Sequence, residues 1–310
     1  MAKRFDKNSS VVIVGAGKIA YTLGRELVSG GYNFNSVFSK SFSSARELAF
    51  YLELDNCSDM SGLNVAKFDV FFLTVPDSQI RIVANSIASS GEDITGKLFV
   101  HLSGSKSSVE LKELENKGAT TASMHIMQTF PQRAEEVDLT SCYCALESKD
   151  KAAIKYLQQF GDFAGLKCFT LSSNEKVYYH LSGVVAANFI NANFQAAMIT
   201  SDKIKNIPPV LGVLHPTAKK TLKNIKKKGV SGALSGPVQR NDIDTIKAHV
   251  RALKRMLSED NPETYYLLTA YLSQSMLLVT TAEYRGEEYD YSELKSFLKD
   301  ELKQTLKLFE

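Results

Sequence analysis

Residues 11–20 combine an apolar strand pattern with the spacing Gly15-x-Gly17-x-x-Ala20, and a helical pattern begins at Lys18. In such a turn the first glycine allows a tight bend, and the second lets the backbone approach a pyrophosphate. The small third residue lets the helix lie close to the strand. The helix N-terminus then offers N–H groups to an anion. We therefore predict a dinucleotide-binding turn made by the following residues: Gly15, Ala16, Gly17, Lys18 and Ile19.

The end of the second predicted strand bears on which dinucleotide binds. An NAD enzyme places an Asp or Glu there to hold the ribose hydroxyls. This chain has Ser39, Lys40 and Ser41 instead, and hydroxyls beside a cation suit the additional 2′-phosphate of NADP. The sequence thus predicts NADP(H) as the cofactor, and the alternative is a solvated loop with an incidental lysine.

Length and composition limit the class of protein. A chain of 310 residues exceeds the usual size of a single core, so two domains are expected. The formal net charge of +3 gives no field that would favour nucleic acid or an anionic membrane. The four cysteines form no Cys-x-x-Cys pair, so no metal site is predicted. Without an export signal or a run of about 18 apolar residues, a cytoplasmic protein is expected.

Strand and helix patterns alternate through the first half of the chain. Such alternation predicts an α/β domain of the Rossmann type, with a doubly wound, mostly parallel sheet covered on both faces. Only a short third strand is expected at residues 54–68, where apolar residues are sparse. After residue 172 the patterns are all helical, including one helix over residues 175–200. We predict an NADP-binding domain at residues 1–172 and an all-helical domain for substrate and dimerisation at residues 173–310.

The carboxyl ends of the predicted strands supply further candidates, because doubly wound sheets bind ligands there. Val75 and Pro76 follow one strand and Ser103 lies in a small, hydroxyl-rich turn after another, so all three are predicted to contact the cofactor. The alternative for Pro76 is that it only ends its strand. His125, at the end of a third strand, is also predicted on the cofactor side. His101, inside its strand, is predicted to be a packed core histidine.

The helical half places polar residues together in two stretches. His180, Asn188 and Asn191 fall on one face of the predicted helix beside small residues, which indicates a cavity for a small substrate. The alternative is a buried helix whose amides are satisfied.

The second polar stretch is a loop that contains Gly and Pro and links two predicted helices. Ser235, Arg240 and Asn241 lie in it, and an arginine can bind a substrate carboxylate as a planar fork. The alternative is helix capping by Asn241 or Asp242.

These motifs recur together in a known family. The sequence resembles the bacterial Rossmann-like proteins whose helical half is catalogued as domain of unknown function 2520. That family is similar in layout to ketopantoate reductases, pyrroline-5-carboxylate reductases and 6-phosphogluconate dehydrogenases, which pair an NADP-binding Rossmann domain with a helical domain. The resemblance rests on Gly15-x-Gly17-x-x-Ala20, Thr74-Val75-Pro76-Asp77, His101-Leu-Ser-Gly-Ser105, Ser123-Met-His125, Tyr179-His180-Leu-Ser, Ala187-Asn188-Phe189 and Leu234-Ser-Gly-Pro237.

The resemblance implies hydride transfer from NADPH to a small 2-oxo acid, with ketopantoate, a precursor of pantothenate, as the named substrate. By position His180 takes the role of the catalytic lysine of ketopantoate reductases, since an imidazole can hold and release a proton close to neutral pH. Asn188 is expected to orient the carbonyl, and Ser235, Arg240 or Asn241 to hold the carboxylate.

One departure keeps other functions open. Ketopantoate reductases carry a lysine and, one turn later, an asparagine on the first helix of the helical domain, whereas here His180 is followed by Val184. One alternative is an imine reductase of the pyrroline-5-carboxylate type. The other is an NADP(H)-binding sensor without turnover.

The last predicted helix carries leucines at four-residue intervals, at positions 294, 298, 302 and 306. A stripe of this kind must pack on something. Docking on its own domain is the default, and a homodimer through the helical domain is also expected, because such dimers are common in the similar reductases.

Overall fold

The computed structural model describes residues 5–257, 263–286 and 289–309. The chain forms two compact units, which divide between Ile190 and Asn191.

The first unit is built on one eight-stranded sheet. Its order is β3-β2-β1-β4-β5-β6-β7-β8, and neighbouring strands are parallel except β6 and β7. Strands β3 to β6 follow the order 3-2-1-4-5-6 of doubly wound dinucleotide-binding sheets. The strands are β1 Val11–Val14, β2 Phe34–Ser39, β3 Asn56–Asp59, β4 Val70–Leu73, β5 Leu98–His101, β6 Thr120–Ile126, β7 Tyr143–Glu147 and β8 Lys167–Thr170.

Helices cover both faces of this sheet, because side chains of successive strand residues point to opposite faces. Val11 and Ile13 pack in a core with residues of α1, α2 and α5, and Val12 and Val14 in a second core with residues of α3 and α4. These strands are buried on both faces, as expected for a parallel sheet. The helices are α1 Lys18–Ser29, α2 Phe42–Tyr51, α3 Asp77–Ala88, α4 Lys112–Asn116, α5 Lys151–Phe163 and α6 Lys176–Gly183.

Among the described residues, every secondary-structure element of the second unit is a helix. Its core joins α9, α10 and α11 through residues such as Ile246, Leu272 and Leu298. The helix α8 is interrupted at Gly229, whose φ of 74° is not helical. A π-helical turn, Val184–Asn188, precedes α7, which begins just before the divide between the units. The helices are α7 Phe189–Ser201, α8 Val210–Ala233, α9 Ile243–Lys254, α10 Glu263–Arg285 and α11 Ser292–Leu306.

The predicted fold class is confirmed, with a Rossmann-like unit followed by a helical one. The short third strand exists as β3, at one edge of the sheet. The leucine stripe of α11 packs on its own unit, since Leu294 and Leu298 are fully buried in its core while Leu306 is half-exposed. The helix expected over residues 175–200 is present as α6, the π-helical turn and α7 in succession, and the π-helical geometry at Val184–Asn188 was not predicted.

Three further features concern the part of the chain that the structure describes. No helix there is both long enough and apolar enough to cross a membrane. All four cysteines are free thiols, and Cys144 is buried. No cluster of three or more His, Cys, Asp or Glu side chains is arranged to hold a metal ion within those residues.

Candidate functional site

The glycine turn joins β1 to α1 and leaves almost no room for side chains. Gly15 has a φ of 109°, and a Cβ there would lie 2.8 Å from the carbonyl carbon and oxygen of Thr74. A Cβ on Gly17 would lie 3.0 Å from the same oxygen. The Thr74 hydroxyl donates to the Gly15 carbonyl (2.7 Å), which fixes the turn against the end of β4. No side chain caps α1, so the N–H groups of its first turn can donate to an anion.

A cavity of about 590 Å³ opens at this turn, between the ends of β1, β2 and β4 and the helix α3. It lies where the strand order reverses, which is the usual ligand position in such sheets. The predicted cofactor residues that line it are Gly15, Ala16, Gly17, Ser39, Lys40, Val75 and Pro76.

The other predicted cofactor residues do not line this cavity. Lys18 and Ile19 begin α1 directly behind the glycine turn. Ser41 caps α2 instead, because its hydroxyl accepts a hydrogen bond from the backbone N–H of Ser44 (3.5 Å). Ser103 and His125 lie in a second cluster, at the ends of β5 and β6.

The end of β2 meets a cation that was not predicted. Lys40 is exposed there beside the buried Ser39. Arg133 also lines the cavity, from the loop between β6 and β7, and it forms an ion pair with Glu47 of α2 (3.1 Å). The residues that line the cavity include no carboxylate. The sequence gives no local signal for Arg133, because it lies more than 90 positions from Lys40 along the chain.

The second cluster forms around the turn after β5, which Asp77 holds in place. Asp77 is the first residue of α3, and its carboxylate accepts hydrogen bonds from the hydroxyls of Ser103 (2.6 Å) and Ser105 (3.4 Å). The Ser103 hydroxyl, predicted to contact the cofactor, is therefore engaged within the protein.

Gly104, between these two serines, is enclosed by two histidine rings. A Cβ on Gly104 would lie 2.6 Å from Nδ1 of His180 and 2.7 Å from Nε2 of His125. The two rings pack edge to face, with 5.7 Å between their centroids. Tyr179 packs edge-on against His125 from another side, at 5.8 Å. The structure thus brings together His125 and His180, which the sequence predicted separately.

The protonation state of His125 follows from its surroundings. Burial lowers its pKa to about 4, against the opposing effect of its hydrogen bond with the Leu102 carbonyl, so the ring is neutral at pH 7. Its Nδ1 lies 3.3 Å from that carbonyl oxygen and must carry the proton, since an oxygen of this kind only accepts. The Nε2 atom, on the Gly104 side, is left as a hydrogen-bond acceptor.

His101 is a core histidine, as the sequence predicted. Its side chain is fully buried, and burial lowers its pKa to about 4. Its ring lies 3.0 Å from the carbonyl of Ser107 and accepts from the backbone N–H of Ser103 (3.2 Å). His101 therefore shapes the turn that carries Gly104.

Lys176, the first residue of α6, was not predicted from the sequence. Its side chain is buried, and its Nζ donates to the Ser103 carbonyl (3.1 Å) and to the Ser123 hydroxyl (2.7 Å). Burial lowers its pKa to about 8, although the charges of Glu147 and Asp77 act in the opposite direction. The signal that could have found it is the spacing Lys176-x-x-x-His180, because residues four apart share a helix face.

A buried carboxylate completes this network. Glu147 accepts from the Ser108 backbone N–H (2.7 Å) and from the hydroxyls of Ser108, Ser123 and Ser173. Burial alone would raise its pKa, but these hydrogen bonds and the Lys176 charge bring the pKa below its ordinary value. The Ser123 hydroxyl accepts from the ammonium and donates to the carboxylate, so it links the two charges.

The remaining predicted side chains of the helical region lie apart from this cluster in the sequence and are exposed. Asn188 ends the π-helical turn, and both it and Asn191 are exposed. The turn breaks the regular α-helical spacing on which the shared face of His180, Asn188 and Asn191 depended. No predicted role of these asparagines is supported by a contact in the structure.

Ser235, Arg240 and Asn241 lie in the second unit, in the loop between α8 and α9. Ser235 and Arg240 are exposed. Asn241 has a φ of 52° and its amide donates to the carbonyl of Asp290 (2.9 Å). Asp242 caps α9 by accepting from the backbone N–H of Thr245 (3.1 Å). The capping alternative thus applies to Asp242, and Asn241 holds the loop.

The strand order, the glycine turn and the cavity beside it define a protein with a Rossmann-like domain, and residues 4–126 match the family model of that description. Residues 142–272 match the model described as domain of unknown function DUF2520. The chain therefore combines a Rossmann-like domain with a DUF2520 domain, which confirms the resemblance carried by the motifs. No curated protein matches the chain.

Solved structures share this fold. One is a Bacteroides fragilis protein, whose name describes it provisionally as an NADP oxidoreductase. It has a TM-score of 0.71 at 23% identity, over 88% of this chain and 99% of that chain. A Thermotoga maritima protein has a TM-score of 0.67 at 26% identity, over 89% of this chain and 100% of that chain. A reductive aminase from Aspergillus terreus, in complex with NADPH and ethyl-5-oxohexanoate, has a TM-score of 0.61 at 12% identity, over 94% and 99%.

Proposed function

We propose that the chain is an NADPH-dependent reductase that transfers a hydride to the carbon of a C=O or C=N bond in a small substrate. The observation that carries this proposal is the glycine turn at residues 15–20, which opens on a cavity with two cations and no carboxylate among its lining residues. The shared fold of a reductive aminase in complex with NADPH is compatible with it.

The cavity fits the pyrophosphate, the adenine ring and the 2′-phosphate of the cofactor. Gly15 and Gly17 allow the backbone to approach a pyrophosphate at the uncapped end of α1. The apolar side chains of Met60, Ile82 and Val83 line the cavity and suit an adenine ring. Lys40, beside the Ser39 hydroxyl, suits a 2′-phosphate. When bound, the cofactor supplies the hydride.

The reaction itself needs a proton donor for the oxygen or nitrogen that receives negative charge. His180 is the proposed donor, because its Nδ1 lies at the Gly104 turn, beside the neutral ring of His125. Lys176 is too deeply buried to meet a substrate, and its hydrogen bond to the Ser103 carbonyl makes it a positioning residue for this turn. A carbonyl-orienting role for Asn188 stays a prediction.

We propose a small 2-oxo acid as the substrate class, with ketopantoate tested first. Carboxylate binding by Ser235, Arg240 and Asn241 stays a prediction within this proposal. The non-catalytic sensor stays the alternative, because α6 carries Lys176 and, one turn later, His180 rather than an asparagine, and Lys176 is buried.

The test is NADPH oxidation with a panel of 2-oxo acids headed by ketopantoate, run side by side with the cyclic imine pyrroline-5-carboxylate. Turnover of a 2-oxo acid supports the full proposal, and turnover of the imine alone replaces the substrate class. Saturable NADPH binding, with no NADPH oxidation by any member of the panel, would support the non-catalytic sensor instead. Absence of NADPH binding would overturn the proposed function.

A further inference from the structure

Arg133 lies in the β6–β7 loop, far along the chain from β2. It is among the residues that line the cavity, as are Ser39, Lys40 and Ser44 at the end where β2 leads into α2, and its ion-pair partner Glu47 lies in α2 one turn after Ser44. This end of the cavity is the one that the proposed function gives to the adenosine 2′-phosphate. A dianion there is held more strongly when a second cation donates charge-assisted hydrogen bonds beside the exposed lysine. Arg133 is the second cation among the residues that line the cavity.

The guanidinium of Arg133 has an ion-pair partner that an anion can replace. Its Nη1 lies 3.1 Å from Oε2 of Glu47, and the two side chains are 46% and 58% exposed. Ion pairs this exposed contribute about 0–1 kcal/mol, so exchange of the carboxylate for a phosphate costs little. A guanidinium also presents several N–H donors in one plane, which match a phosphate better than an ammonium does.

The surroundings of Arg133 favour an anion. Helix α2 points its N-terminus toward this end, and its first turn contains no acidic residue. Ser44, in that first turn, lines the cavity with its hydroxyl-bearing side chain. Glu47, one turn further, is the carboxylate that neutralises Arg133.

The loop that carries Arg133 is fastened to the first unit at several points. The Arg25 side chain of α1 donates to the carbonyl of Val137 (3.0 Å). Val137 and Leu139 are buried in the core beside α1. Near the start of the loop, the Met127 Sδ would lie 2.6 Å from a Cβ added to Gly183. These contacts place Arg133 at the cavity before any ligand binds.

We propose that Arg133 is a specificity-determining residue, which exchanges Glu47 for the 2′-phosphate and so selects NADP(H) over NAD(H). This inference rests on the proposed function. The sequence analysis predicted that NADP(H) and NAD(H) are distinguished by residues between β2 and α2 alone, and Arg133 lies outside that segment. Lys40, which follows β2, and Arg133, in the β6–β7 loop, then both bind the phosphate, although they are far apart in the sequence.

The experiment compares Arg133→Ala with the matched control Arg46→Ala, an exposed arginine of α2 that does not line the cavity. Dissociation constants are measured for NADPH, NADH, 2′,5′-ADP and 5′-AMP. The expected result for Arg133→Ala is a loss of about 10- to 100-fold for NADPH and 2′,5′-ADP, as for one charged hydrogen-bonding group, with NADH and 5′-AMP nearly unchanged. Arg46→Ala should bind all four as the wild-type chain does.

The variant Glu47→Gln distinguishes two roles of Arg133: binding of the 2′-phosphate, and a purely structural ion pair with Glu47. The proposal expects this variant to bind NADPH as tightly as the wild-type chain or more tightly, because a competing carboxylate is gone. If Arg133→Ala and Glu47→Gln both lose affinity for NADPH and NADH to the same extent, the ion pair is structural and the assignment is overturned. Unchanged NADPH to NADH selectivity in Arg133→Ala would overturn it too, while leaving the proposed function intact. Absence of binding of either cofactor by the wild-type chain would overturn both.

Discussion

Lys176 and Glu147 are opposite charges buried in one hydrogen-bond network and linked through the Ser123 hydroxyl. Burial of a lysine is unfavourable for its charged form, which is why the pKa of Lys176 falls from 10.5 to about 8. Each pKa unit corresponds to about 1.4 kcal/mol, so keeping this ammonium charged at neutral pH costs about 3 kcal/mol of stability. A cost of this size at the Gly104 turn indicates a role beyond stability.

The pKa of Lys176 predicts how stability depends on pH. Between the folded pKa of about 8 and the unfolded value of 10.5, the unfolded chain binds more protons, so this residue makes stability rise with pH. Relative to Lys176→Met, the wild-type chain should gain about 2 kcal/mol of unfolding free energy from about pH 7.5 to about pH 9.5. Urea unfolding of both proteins measures this difference, and a constant difference between them would contradict a lowered pKa.

His180 is the proposed proton donor, and it does not line the cofactor cavity, so its substitution tests proton donation separately from cofactor binding. His180→Ala should lower kcat about 100- to 10,000-fold, the range for loss of a general acid, and leave NADPH affinity unchanged. His215→Ala, an exposed histidine of α8, is the control and should keep full activity. Steady-state kinetics with the substrate found in the panel decide, and full activity in His180→Ala would remove it as the proton donor.

The turn after β5 is the element that positions the proposed reacting residues His125 and His180. It is held by Asp77 and Lys176 and closed by the rings of His125 and His180 on Gly104. The same turn lies at the carboxyl end of the sheet, where residues from different strands converge. Its geometry therefore joins residues that are distant in the sequence into one site.

Gly104→Ala should push the two histidine rings apart, because the new methyl group would lie within 2.6–2.7 Å of both. We expect kcat to fall at least about 10-fold with NADPH affinity unchanged, since a small displacement of reacting groups has large kinetic effects. Gly212→Ala, where a Cβ meets nothing within 4 Å, is the control and should leave kcat unchanged. Equal activity of both variants would show that the close approach at Gly104 has no role.

Much of the element pattern could be predicted from the sequence, and the misses have physical reasons. The parallel strands were predictable because they are apolar on both faces, as Val11–Val14 and Val70–Leu73 show. The π-helical turn at Val184–Asn188 was not, since its side chains fit a regular helix equally well. Arg133 was missed because only tertiary contacts bring it to the cofactor cavity, whereas Lys176 could have been found from the spacing Lys176-x-x-x-His180 on one helix face.

At the scale of the whole molecule, the second unit exposes apolar side chains on α8 and α10. Leu211, Leu222 and Leu277 are 54%, 52% and 69% exposed, and Tyr284 is 85% exposed. Apolar side chains that are exposed on two helices in contact with each other can take part in an interface. They are consistent with the homodimer expected through the helical domain.

We predict that the chain is a dimer in solution and that Leu277→Lys weakens it, because a lysine in an apolar interface must be desolvated. Light scattering over a range of concentrations measures the mass. Phe50→Lys, at an exposed position of α2 in the first unit, is the control and should remain dimeric. A monomeric wild-type chain, or a Leu277→Lys variant that dimerises as well as the wild type, would contradict an interface at this position.

Hydride transfer from a nicotinamide cofactor bound at the glycine turn can be followed as deuterium transfer to the product. NADPH carrying deuterium at C4, prepared in each of its two stereochemical forms, is incubated with the chain and the substrate panel. Products are then examined by mass spectrometry. A reduced product should gain deuterium from one form and none from the other. Binding of NADPH with no deuterium in any product from either form would contradict hydride transfer.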